Sequence, residues 1–334
     1  MSSEPRIDTA LSPRYAQLPT FMRMPAATDP RGRDAVVIGA PYDGGTSYRP
    51  GARFGPRAIR AESVLLHGVG VERGPGVLDL LDVVDAGDLD LSPFAMENAI
   101  DEATTALTAL YEHNRAILML GGDHSLTLAA LRAAHREHGP LAVIHLDAHS
   151  DTYPPVYGGR YHHGTPFRHA IDEGLVQPQK MVQIGIRGHT PNPGSLSFAR
   201  DRGVVIVTMD DFDELGTAGI KRLLLEHTTG QPVYVSIDVD AADPAYAPGT
   251  GTPAPGGLTS REILALIKVV GDLQPVGFDI VEVSPAYDHA GITSLLAAEI
   301  GAELLYQYAR SLDAVPATPA LTVDHDSSPG RNNR

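Results

Sequence analysis

Residues 141–155 read LAVIHLDAHSDTYPP. The opening LAVIHL is an almost unbroken apolar run of strand length, which suits a strand buried on both faces. Directly after it, Asp147, His149 and Asp151 follow one another at a spacing of two. In an extended segment, residues two apart point the same way, so these three side chains can face one point in space where the strand ends.

The same pattern recurs along the chain. The runs AVVIGA, VLDLLDVVDAG, AILMLGG, LAVIHLD, MVQIGIR, VVIVTMD, PVYVSIDVD and VGFDIVEV read as strands. Between them lie segments of helical spacing such as MENAIDEATTALTALYEH, HSLTLAALRAAHREHG, TAGIKRLLLEHT and SREILALIKVVGDL. Apolar strands alternating with amphipathic helices predict an α/β protein, a single three-layer α/β/α domain with a mostly parallel sheet. No internal repeat or central break in composition divides it. Residues 1–30, irregular and rich in proline, read as an N-terminal arm; 31–312 read as the domain. Residues 313–334 are low in large apolar side chains and read as a disordered tail.

Composition removes several function classes. The chain has no cysteine, which excludes a disulfide framework and thiolate metal sites. A formal charge of −15 argues against a nucleic-acid partner; it fits solubility, or a cationic ligand. The N-terminus lacks a basic region followed by an apolar one, and no apolar run is long enough for a membrane helix. The expectation is a cytoplasmic protein with no membrane partner.

Four of the expected strands end in polar clusters. AILMLGG runs into Asp123, His124 and Ser125, and LAVIHL into Asp147, His149 and Asp151. PVYVSI runs into Asp238 and Asp240, and GFDIV into Glu282. In an open parallel sheet, ligands bind outside the carboxyl ends of the strands, so the four clusters should gather on one edge. Ser125 and Ser150 fit equally well as turn or cap residues. The acids, packed together, would repel unless protonated or bound to cations. Carboxylates with imidazoles and no sulfur point to Mn²⁺ rather than Mg²⁺. Six such side chains suit two ions about 3.5 Å apart, with Asp147 and Asp238 as candidate bridges. A shared water of lowered pKa then becomes a bridging hydroxide.

GGDHS, DAHSD and SIDVDAADPAYAPGTGTP resemble, in order and spacing, the three metal-binding motifs of the ureohydrolases, the arginase and agmatinase family. The likeness runs from about Pro13 to Ser311. It implies an arginase-like fold, two Mn²⁺ per subunit, a homo-oligomer (often a trimer or hexamer) and hydrolysis of a guanidino group to urea and an amine. By the same resemblance one ion takes His124, Asp147, Asp151 and Asp238, and the other takes Asp147, His149, Asp238 and Asp240. YHHGTPF places the family's proton-shuttling histidine at His163, and DIVEVSP its guanidinium-holding glutamate at Glu282. Thr252 is expected to support that end of the site. Asp151 is in addition placed to accept a hydrogen bond from the hydroxide and orient it. His162 is read as a structural or rim residue.

The substrate rests on a different segment. TYPPVYGGRYHHG carries Arg160 and no acid between Asp151 and His163. Facing the pocket, Arg160 repels the second charge of agmatine and attracts a carboxylate; facing solvent it does neither. The runs GAPYDGGTSYRPGARFGPRAIR and GGRYHHGTPFRHAIDEGL look especially like family members that act on guanidino acids, one of them bearing a β-lactam ring. The expected substrate is therefore a carboxylate-bearing guanidino compound of the proclavaminate or 4-guanidinobutyrate type, with agmatine as the alternative. A deacetylase-like hydrolase would need one ion, and a non-catalytic metal-binding protein neither His163 nor Glu282. GTSYRPGARFGPRAIR belongs either to the site mouth or to a subunit contact. The metal stays open between Mn²⁺ and Co²⁺ or Ni²⁺.

Overall fold

The computed structural model describes residues 11–67, 75–190 and 194–312; the tail at 313–334 lies outside the described residues. The strands are β1 (Ala35–Ala40), β2 (Val83–Asp88), β3 (Ile117–Gly121), β4 (Leu141–Leu146), β5 (Val176–Ile186), β6 (Val205–Thr208), β7 (Pro232–Asp238) and β8 (Gln274–Val281). Every apolar run expected to be a strand contains one. The first half of VLDLLDVVDAG is instead a helical turn, Val77–Leu80, whose Asp79 carboxylate accepts from the Gly76 amide at 3.3 Å.

All neighbouring strands run parallel, in the order β2-β1-β3-β8-β7-β4-β5-β6. The chain lays β4, β5 and β6 outward, then returns to insert β7 and β8 between β3 and β4. That return makes the four strands with polar ends contiguous.

Alternating strand residues feed two cores. Val37, Leu118, Ile144 and Val235 pack on one face with Ile59, Ile220, Ile263 and Leu304. These last come from α1 (Gly55–Ser63), α7 (Met209–Thr228), α8 (Ser260–Ile267) and α9 (Ile292–Ser311). Ile38, Met119, Val143 and Tyr234 pack on the opposite face with Ile100, Leu107, Leu131 and Phe167. Those belong to α3 (Met96–Tyr111), α4 (Thr127–His138) and α5 (Pro166–Asp172). The remaining helices are α2 (Val77–Leu80) and α6 (Ser197–Asp201). This is the three-layer arrangement expected. Among the described residues, no helix is long and apolar enough to cross a membrane.

Helix α9 carries no clean amphipathic signature in sequence, because it is buried nearly all round, Thr293, Leu296, Ile300, Glu303 and Tyr306 included. The described part of the N-terminal arm is docked. Phe21 is fully buried, its amide donates to Asp85 at 2.7 Å, and the Met22 amide donates to Ser63 at 2.8 Å. Arg60 of α1 grips the same Asp85 through two nitrogens, at 2.8 and 2.9 Å.

The chain leaving β3 threads between two others. Gly122 donates to Ala40 at 2.9 Å, Asp123 to Tyr42 at 2.8 Å, and the Gly122 carbonyl accepts from Glu282 at 2.9 Å. A Cβ at Gly122 would land on the Tyr42 carbonyl oxygen. That close approach sets His124 beside Glu282.

Candidate metal centre

The ends of β3, β4, β7 and β8 bring the expected ligands together. His124 Nδ1 lies 3.2 Å from Asp147 Oδ2, 2.9 Å from Asp151 Oδ2 and 3.4 Å from Asp238 Oδ2. His149 Nδ1 lies 3.4 Å from Asp147 Oδ1 and 3.1 Å from Asp240 Oδ2. Asp147 thus turns one oxygen to each imidazole. Strand β4 ends at Leu146 and the chain then bends at Ala148 and His149, so a turn and not a continued strand aims these side chains; Asp151 adopts a left-handed φ of 49°. Glu282 does the same at the end of β8, with a φ of 67°. Non-glycine residues adopt that conformation uncommonly, so the surrounding contacts hold both acids in place.

The backbone fixes the carboxylates. Amides of His149 and Asp240 donate to Asp147 Oδ1 (2.6 Å) and Asp238 Oδ1 (2.8 Å), and the Ala148 amide donates to Asp240 Oδ1 (3.0 Å). Thr252 Oγ1 reaches Asp240 Oδ2 at 3.4 Å. Asp123 does not join the acids around the imidazoles. It accepts from the amides of Gly45 (2.6 Å) and Ser125 (2.9 Å), so Ser125 is the turn residue its type suggests.

Beneath the centre runs a row of polar side chains that sequence reasoning missed. Asp279, Ser236, His145 and Gln183 are cross-strand partners on β8, β7, β4 and β5, all fully buried. Asp279 Oδ1 accepts from Ser236 Oγ at 2.6 Å, and Ser236 Oγ lies 3.0 Å from His124 Nε2. On the other side Gln183 Nε2 donates to the Ser150 carbonyl (2.6 Å) and to His145 Nδ1 (3.0 Å). His145 therefore carries its proton on Nε2, which donates to Asp147 Oδ2 at 2.8 Å. A period-two count below the ligands would have exposed this row, but His145 and Ser236 sit inside otherwise apolar strands and look like core.

The electrostatics fit a missing cation. Burial opposes charge on His124, yet Asp147, Asp151 and Asp238 raise its pKa well above the usual imidazole value. Burial likewise opposes charge on His149, which Asp240 and Asp147 raise well above it. Burial, then the charges of Asp240 and Asp147, push Asp238 well up. For Asp147 burial is outweighed by the surrounding imidazoles, which hold it well below the carboxylate range. His124 Nδ1 is buried with no hydrogen-bond partner among the described residues. A buried ring nitrogen without a hydrogen-bond partner, facing three carboxylates, fits a metal ligand. Asp147, His149 and Asp240 lie close enough to share an ion, and so do His124 and Asp147 with His145, whose bonds to Asp147 and Gln183 make it a support and not a ligand.

A cavity of about 830 Å³ opens onto the centre. Its wall includes His149, Asp151, Asp238, Thr252, His163 and Ser47. Ser47 belongs to the GTSYRPGARFGPRAIR segment, part of which thus lines the site mouth. His163 Nδ1 is 3.3 Å from Glu282 Oε1, and its Nε2 is 2.8 Å from Ser47 Oγ. Glu282 Oε1 also accepts from the His124 amide (2.9 Å), while Oε2 is buried without a partner among the described residues. His162, lining the cavity, accepts from the Gly164 amide at 3.1 Å and lies 3.2 Å from the Pro154 carbonyl, so it braces the loop.

Of the two directions left open for Arg160, the structure has the outward one. It is exposed, it does not line the cavity, and its guanidinium sits 5.0 Å from the centre of the Tyr161 ring. Its backbone is tied to α5, where His169 Nε2 lies 3.0 Å from the Arg160 carbonyl oxygen. Arg168 and Arg202 line the cavity instead.

A parallel sheet whose central strands end in a shared His/Asp cluster, beside a glutamate with one buried oxygen left unpartnered among the described residues, defines a hydrolase built around metal ions. Residues 33–306 match the arginase family, and the chain belongs to it. Its members are hydrolases acting on guanidino C–N bonds, and this chain is one of these enzymes. It is 68% identical over 306 residues to the proclavaminate amidinohydrolase of Streptomyces clavuligerus, covering 92% of this chain and 98% of that one. The solved structure from the same organism overlays with a TM-score of 0.88 at 69% identity, over 90% of this chain and 100% of that chain. A guanidinopropionase of Pseudomonas aeruginosa is 43% identical, covering 91% of this chain and 96% of that one.

Proposed function

We propose that this enzyme is a binuclear manganese amidinohydrolase that converts a guanidino acid, of the proclavaminate or 4-guanidinobutyrate type, to an amine and urea. The observation that carries the reading is Asp147, with Oδ2 toward His124 and Oδ1 toward His149, a bridging pose that a single ion does not need. His124, Asp147, Asp151 and Asp238 would hold one Mn²⁺, and Asp147, His149, Asp238 and Asp240 the other. Such a pair, when bound, lowers the pKa of water enough to make a nucleophile available at neutral pH.

The chain's own residues do the rest. Glu282 Oε2 offers a buried carboxylate oxygen to the planar guanidinium. Gly251 leaves room there, since a Cβ on it would sit 3.7 Å from that oxygen. Thr252 steadies Asp240, and Asp151 accepts a hydrogen bond from the attacking water. Burial opposes charge on His163, but Glu282, helped by Asp151 and Asp123, raises its pKa to about 9. It is therefore protonated at neutral pH and can give the departing amine its proton. The 68% identity to a proclavaminate amidinohydrolase favours an acid over agmatine. The same reading includes the arm at 1–30, the catalytic domain at 31–312, a cytoplasmic location and a trimer or hexamer.

The test is His163→Ala and Glu282→Gln. Each should lower kcat for urea release by roughly 10²–10⁴-fold, with two Mn per chain retained by metal analysis. Full urea production in both variants, or one ion per chain in the wild type, overturns the reading.

A further inference from the structure

Past the guanidinium end, the cavity reaches a wall made by α5 and α6. There two guanidinium carbons, of Arg168 and Arg202, lie 4.0 and 3.6 Å from the centre of a single ring, Phe198. All three residues line the cavity. Arg202 has other business: it lies 3.7 Å from Asp172, with 41% of its side chain exposed, and it donates to the Phe198 carbonyl at 3.3 Å.

Arg168 differs. It is half-buried, and its hydrogen bond is from Nη1 to the Thr152 carbonyl at 3.3 Å. Among the described residues no carboxylate lies within ion-pair distance of it. Asp201, the cavity-lining acid on this wall, is exposed and pairs with neither arginine. A half-buried cation without a counter-charge is costly to hold. Stacking on Phe198 fixes the plane of its fork and leaves other N–H groups for a planar partner. Thr152 follows Asp151 directly, so the fork is anchored one residue from the metal-site acids.

Charge decides what that partner is. The chain carries a net −15, which disfavours an anionic substrate unless the pocket supplies local positive charge. Arg168 supplies it, in the planar geometry a carboxylate matches with two parallel bonds. We propose that Arg168 receives the carboxylate of the substrate and sets the preference of this site for guanidino acids. This rests on the guanidino-acid reading above and assigns it to a residue.

The experiment measures urea release from 4-guanidinobutyrate, from its uncharged carboxamide and from agmatine. It uses wild type, Arg168→Met, Arg168→Lys and, as a control outside the cavity, Arg160→Met. Wild type should favour the acid over the amide by at least about tenfold in kcat/KM. Arg168→Met should bring that ratio close to one, mainly through a raised KM for the acid. Arg168→Lys, which keeps the charge but not the fork, should recover part of it; Arg160→Met should keep the wild-type ratio. If wild type favours the amide or agmatine, the guanidino-acid reading fails and the role falls with it. If wild type favours the acid and Arg168→Met keeps the ratio, the assignment to Arg168 alone fails. Should Arg168→Met not fold, Arg168→Gln, which also removes the charge, takes its place, and an unchanged ratio there decides the same way.

Discussion

Ser236 has no catalytic chemistry, yet it determines which nitrogen of His124 faces the acids. Asp279 accepts its proton at 2.6 Å, and its oxygen sits 3.0 Å from His124 Nε2. With Nε2 so engaged, the Nδ1 lone pair is left for an ion. Such supporting partners are typically worth about 10–100-fold in metal affinity. Ser236→Ala, nearly isosteric, is therefore expected to weaken divalent-metal binding by roughly that factor and, by leaving buried atoms of Asp279 and His124 unpaired, to cost the metal-free protein about 1–3 kcal/mol. Competition with a chromophoric chelator measures it, and an affinity equal to wild type would show that the relay does not orient the ligand. The candidate ligands were legible in sequence because acids and histidines cluster directly after apolar strand runs, although the bend at Ala148 and His149 and not a strand repeat presents them. Ser236 was not, because its partner lies on a neighbouring strand 43 residues away.

At the scale of elements, the site depends on loops that touch backbone to backbone. The turn after β3 passes the chain leaving β1 so closely that Gly122 has no space for a Cβ. Gly122→Ala must separate those turns, at a cost of about 1–3 kcal/mol in stability. Because His124 and Glu282 are both positioned through this turn, activity should fall by more than that loss implies at temperatures where the variant is still folded. Urea denaturation and urea-release assays on the same preparation check both; unchanged stability and rate would mean that the turn relaxes freely. Loop and helix also explain the arginines. Arg160 lies in an exposed loop whose side-chain direction no local pattern specifies. Arg168 lies on α5, held near the centre by the Phe167 amide donating to the Asp151 carbonyl at 3.2 Å. Residue type alone left the direction of an arginine open, and packing places Arg168 and not Arg160 on the cavity wall.

For the whole molecule, the acid cluster links metal, protons and stability. In the metal-free protein His124 and His149 hold their protons well above the usual imidazole pKa. A group raised on folding stabilises fully below its unfolded pKa, about 6.5 for histidine, and loses that contribution as pH climbs through the folded value. Asp238 and Asp240, also raised, act in the same direction. The metal-free enzyme should therefore melt at lower temperature as pH rises above about 6.5. A divalent ion bound there would have to displace those imidazole protons, so the affinity for Mn²⁺ and the rise in melting temperature it produces are expected to grow with pH. Calorimetry in two buffers of different ionisation enthalpy measures the protons released; zero release, or an affinity independent of pH, would contradict this protonation state.

Local periodicity alone established the parallel α/β class, the strands, and the set of aspartates and histidines that end them. Both the two-residue strand repeat and the helical repeat are written into consecutive residues, and so is the change from apolar to acidic at a strand end. Strand order was not written there. Insertion of β7 and β8 between β3 and β4, which makes four polar ends one centre, depends on side chains distant in sequence packing two faces at once. The buried Asp279–Ser236–His145–Gln183 row and the choice of Arg168 over Arg160 follow from that packing. They are cross-strand and helix-to-loop contacts, and only the tertiary structure brings those partners together.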